Sequence, residues 1–174
     1  GGEGRSLRAL TPAERLARVQ QLANDAGLGA APSSPRTAGY GVLKSELEGT
    51  GLQANHLNQN AAFRGVIPEN EGLAVALRGN AITDVSSPHY NFHRSLEQFW
   101  DQYRPDGALF NTRPTNAQYG QALQRALEAD GFSPAQAADL AAQAAGQRAA
   151  YGLSETGLVP RIPGRLNQKP PPSS

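Results

Sequence analysis

The residues best suited to chemistry in this chain are its three histidines, His56, His89 and His93. His89 and His93 stand four residues apart in "SPHYNFH". On a helix that spacing puts both imidazoles on one face, one turn apart, where two ring nitrogens can reach one metal ion. A zinc protease motif shares the spacing but needs glutamate after the first histidine; Tyr90 stands there, which argues against that reading. With an unperturbed pKa of about 6.5, histidine also serves as a general base near neutrality. A pair of histidines on a helix is by itself a sparse signal, because such pairs are also commonly exposed or simply packed.

The elements that must position these residues are legible to different degrees. Ser87 and Pro88 read as the cap and first residue of a helix. Phe92, Leu96, Phe99, Trp100 and Tyr103 then form one apolar stripe on a 3.6-residue period, and Pro105 and Gly107 end it. His89 would sit in the first turn, where free N–H groups favour anions. "GLQANHL" and "GLAVALRG" read as two short strands bounded by glycine, with "NQNAAFRGVIPENE" as a loop between them. A helix over "LTPAERLARVQQLANDAGLG" precedes them, capped by Thr11 with Glu14 in a capping box, and a Gly, Pro and Ser-rich linker follows it to residue 40. Two alanine-rich helices close the chain: one from a Thr115 or Asn116 cap to near Gly131, the other from Ser133-Pro134 to near Gly152. The fold class expected is α+β, a mostly helical domain around two short antiparallel strands and one helix. Residues 41–104 form the core and residues 105–160 a helical part of the same domain. Residues 161–174 read as a disordered Pro-rich tail, basic through Arg161, Arg165 and Lys169.

Composition narrows the classes. The chain has 174 residues, long enough to bury a core, and no cysteine, which excludes disulfides and thiolate metal sites. A net charge of +1 does not announce a nucleic-acid binder. No apolar run approaches the roughly 18 residues of a membrane span. Methionine is absent, position 1 included, and "GGEGRSLRAL" lacks the apolar segment of a signal peptide. The chain therefore reads as a processed product or a piece of a longer protein.

The order of these features resembles the ββα-metal (His-Me finger) endonucleases of the HNH and endonuclease VII superfamily. More narrowly, it is similar to nuclease domains at the C-termini of bacterial polymorphic toxins of the Rhs and type VI secretion kind. "ANHLNQ" is similar to their paired-residue motif and "SPHYNFH" to their helix motif. The resemblance covers about residues 51–103. It implies that His56 is the general base, that His89 and His93 hold one divalent cation, and that Asn80 braces the loop and orients His56. Asn55 falls where these families often place a metal-ligating His or Asp. Here the chain departs from the pattern, since an asparagine offers only a neutral amide oxygen.

The residue types suit phosphodiester hydrolysis, which needs a base, neutralisation of developing charge and help for the leaving oxygen. Imidazole ligands point toward Zn²⁺, Ni²⁺ or Mn²⁺, and Mg²⁺ completed by phosphate and water is also compatible. Arg64 and Arg94 are candidates to grip phosphate, and Glu97, one turn past His93, to orient that ligand. By resemblance the substrate is DNA, the enzyme a toxin released into target-cell cytoplasm from a larger secreted protein, and its partner a cognate immunity protein. An RNase of the same fold and a non-enzymatic, metal-stabilised binding module are the alternatives.

Overall fold

The computed structural model describes residues 35–78 and 88–165, with the side chains at positions 88 and 89 outside the described set. The helix expected near the N-terminus, Asn80 and the Ser87 cap also lie outside it.

The sheet has three antiparallel strands: β1 (Thr37–Gly39), β2 (Leu52–His56) and β3 (Leu73–Arg78), in the order β1-β3-β2. β2 and β3 are the two strands expected from sequence, and they pair from Leu52↔Arg78 to His56↔Ala74. As the central strand, β3 buries Ala74, Val75 and Leu77. The third strand is the difference. Thr37–Gly39 pairs with Val75–Leu73, inside the stretch read as linker. Three residues are too few to show alternation, and this strand exists because β3 offers it a ladder. Helix α1 (Tyr40–Glu46) follows directly.

The segment after β2, read as a loop, holds a one-turn helix α2 (Asn60–Phe63) and a 3-10 turn at Glu69–Glu71. Single turns carry no periodic pattern, and this one forms because Ala62 and Phe63 are fully buried.

Helix α3 (Pro88–Asp101) packs on β3 and on α4 (Asn116–Asp130), and α4 packs on α5 (Pro134–Ala150). The expected stripe is the buried one: Phe92, Leu96 and Trp100 are fully buried, with Phe99 and Tyr103 nearly so. Trp100 stacks on Tyr119 of α4, ring centroids 5.8 Å apart. Both caps are capping boxes, Thr115 with Gln118 and Ser133 with Gln136. The α4 helix ends at Gly131, whose φ of 116° is a left-handed conformation that suits glycine.

The start of the presumed tail is docked. Pro163 is buried, and Arg104 donates to the carbonyl oxygens of Pro163 and Gly164 at 2.9–3.0 Å. Proline content suggested disorder, but a buried guanidinium that needs acceptors holds this segment down. Residues 166–174 lie outside the described residues. No helix among the described residues is long and apolar enough to cross a membrane.

Candidate active site

β2 ends on two of the expected site residues, Asn55 and His56. Successive side chains of a strand leave on opposite faces, so Asn55 and His56 contact different neighbours. Asn55 turns inward to α3, where His93 Nε2–H donates to its Oδ1 at 2.8 Å. His56 turns toward α1, and its ring stacks on Tyr40 with centroids 4.2 Å apart.

The His56 imidazole is held on three sides. Its Nε2–H donates to the Glu69 carbonyl oxygen at 2.8 Å, which in the neutral ring places the lone pair on Nδ1. Tyr40 covers one face. Gly72 lies against the ring edge, and a Cβ there would stand 2.6 Å from His56 Cδ2. Burial pushes the His56 pKa below its ordinary value, with the hydrogen bond to Glu69 and that residue's negative charge pulling the other way. The ring is therefore neutral at neutral pH.

Asn55, His56 and His93 open on one cleft of about 270 Å³, whose walls also include Asn60, Glu97 and Gly164. Long-range hydrogen bonds hold its floor. Tyr119 donates to the Leu57 carbonyl at 2.5 Å, Trp100 Nε1–H to Gln59 Oε1 at 2.5 Å, and Asn58 Nδ2 to the Ala144 carbonyl at 3.0 Å. From α5, Gln147 accepts from the Leu73 N–H and donates to the Glu71 carbonyl, both at 2.8 Å. It thereby ties the turn that carries Glu69 to the helical layer.

Two of the three expected metal ligands can be tested for fit. Two donor atoms each about 2.1 Å from one ion, at a right angle, lie about 3 Å apart. The 2.8 Å between Asn55 Oδ1 and His93 Nε2 fits that separation. His93 Nε2 must give up its proton to serve as a ligand. His89 precedes it by four residues in α3, and its side chain lies outside the described residues. Among the described residues no group of three or more His, Asp and Glu side chains gathers as a metal site. The donors described are thus one imidazole and one amide oxygen, chemically suited to part of a divalent cation's shell.

The other expected residues are placed as follows. Glu97 lines the cleft and pairs with Arg104 at 2.7 Å. Arg64 and Arg94 are exposed and stand outside the cleft lining. Phe99 and Trp100 are core residues, as expected from the helix stripe. Tyr40, Gly72 and the Glu69 carbonyl were not singled out from sequence, although they hold His56. Their partners are 13 to 16 residues away in the chain, and no local pattern announces such contacts.

Compared with known protein families, curated proteins and solved structures, the chain matches none of them.

Proposed function

We propose that this chain is a metal-dependent endonuclease that hydrolyses phosphodiester bonds of DNA. In this reading it is the toxin portion of a larger secreted protein, acting in the cytoplasm of competing bacteria and neutralised in the producer by a cognate immunity protein. The observation that carries the catalytic reading is the His56 imidazole, hydrogen-bonded to the Glu69 carbonyl, in one cleft with the Asn55–His93 pair.

In this reading the roles are as follows. His56 Nδ1 takes a proton from the attacking water, and Glu69 O stabilises the imidazolium that results. Tyr40 and Gly72 keep the ring from rotating away. Asn55, His89 and His93 would hold one divalent cation. When bound, that cation supplies charge neutralisation for the phosphorane and for the leaving 3′ oxygen.

A plasmid-nicking assay with Mg²⁺, Mn²⁺, Zn²⁺, Ni²⁺ or EDTA tests this, run beside His93→Ala. Cleavage with at least one cation is expected, abolished by EDTA and by the substitution. Cleavage that survives both would sink the metal role, and no cleavage of DNA with any cation would sink the DNase. The same assay on RNA identifies a ribonuclease. Gly72→Ala separates positioning from folding. The added methyl displaces the His56 ring, so cleavage should fall about a hundredfold while the thermal midpoint stays near the parent's. Parental activity in this variant would show that ring placement does not matter.

A further inference from the structure

We infer that residues 159–165 form a wall of the substrate cleft and that Arg104 is the positioning residue that holds the wall in place. The inference rests on the phosphodiesterase reading above and adds a substrate-orienting element to it.

The segment is strapped down by two guanidinium groups. Arg113 Nη1 donates to the Val159 and Pro160 carbonyls at 2.9 and 3.0 Å. Arg104, only 5% exposed, donates to the Pro163 and Gly164 carbonyls. Val159 adds an N–H bond to the Pro114 carbonyl at 2.9 Å and is fully buried. The far end of the strap, Pro163 and Gly164, lines the same cleft as Asn55, His56 and His93.

This arrangement has a chemical consequence for an anionic ligand. Carbonyl and carboxylate oxygens facing a cleft repel phosphate. Here the Pro163 and Gly164 carbonyls are engaged by Arg104, and so is the Glu97 carboxylate at 2.7 Å. With the Asp101 carboxylate at 3.0 Å as a fourth acceptor, one buried cation engages two carbonyls and two carboxylates beside the cleft. The part of the strap that lines the cleft is Pro163 and Gly164, neither of which carries a charged side chain. That surface lets a sugar-phosphate chain lie against it without an opposing charge.

The test is steady-state cleavage of a DNA oligonucleotide by the full chain and four variants. A Cβ at Gly164 would meet no heavy atom within 4 Å, so Gly164→Trp should fold and project its indole over the cleft. Gly146→Trp, on an exposed part of α5 with the same open space, is the control of equal bulk. The first should lose about tenfold or more of kcat/KM, while the second should match the parent. Arg104→Met should raise KM more than it lowers kcat, and Glu97→Gln in the same chain should recover part of the loss by removing the charge of the cleft-lining carboxylate that Arg104 engages. Parental kcat/KM in Gly164→Trp, or parental KM in Arg104→Met, overturns the inference while leaving the nuclease standing. If the parent chain cleaves no nucleic acid, the nuclease reading fails and the strap's role fails with it.

Discussion

With His56 as the proposed base, His56→Ala is expected to slow the proposed DNA cleavage about a thousandfold and to leave the Asn55–His93 pair intact. The magnitude follows from the role of a positioned base: its loss forfeits proton transfer in the transition state, while charge neutralisation and binding persist. A pH profile makes the assignment specific. Burial lowers the His56 pKa, so the ring stays neutral at a pH where an exposed histidine is already half protonated. The acid limb of the parent's pH–rate profile should therefore lie below about 6.5 and vanish from the residual activity of His56→Ala. An acid limb that persists unchanged in the variant would assign the base elsewhere. Stability has the same sign: the unfolded chain takes this proton more readily than the folded one, so acidification below about 6.5 weakens the fold.

The second large effect is on stability, at a residue remote from the histidines. Arg148 of α5 is fully buried, donating to Asn58 Oδ1 at 2.8 Å and to Glu155 at 2.9 and 3.2 Å, with its guanidinium 5.6 Å from the Tyr119 ring centroid. Glu155 is 46% exposed at its side chain. Exposure alone would rank Glu155 as the lesser residue, but the reverse is expected. Glu155→Ala leaves a buried guanidinium without its counter-charge, which costs about 3 kcal/mol, the low end for stripping a buried ion of its partner. Arg148→Met removes the buried charge itself. It leaves Glu155 to solvent and deprives only Asn58 Oδ1 of a bond, which costs about 1–2 kcal/mol. Urea unfolding of both variants checks the order. A larger loss in Arg148→Met would mean that the pair is too well hydrated for the buried charge to matter. Since Asn58 follows His56 by two residues, either change also loosens the cleft floor.

Legibility from sequence followed the range of the interactions involved. The helix over Pro88–Asp101 was readable because its stripe repeats within a single turn, and the starts of the next two helices were readable because Thr115 and Ser133 are local cap signals, although the choice of Thr115 over Asn116 and both capping boxes came from the structure. The strands at Leu52–His56 and Leu73–Arg78 were bounded by glycines that stop pairing. Strand β1 and helix α2 were not readable, because a three-residue strand and a one-turn helix depend on what they pack against. The strap at 159–165 misled for the same reason: its composition speaks for disorder, and its order comes from Arg104 and Arg113.

By itself, then, the sequence determined the α+β class and the three long helices among the described residues, and it named the residues for which base and ligand roles are proposed. Only the tertiary structure decided that Asn55 meets His93, that Glu69 lends His56 its backbone carbonyl, and that Gly72 and Tyr40 confine that ring. Residue chemistry and helical period are local properties, written within a few positions. The pairing of Asn55 with His93 spans 38 residues. It is set by how β2 and α3 settle on a shared core, which no local pattern encodes.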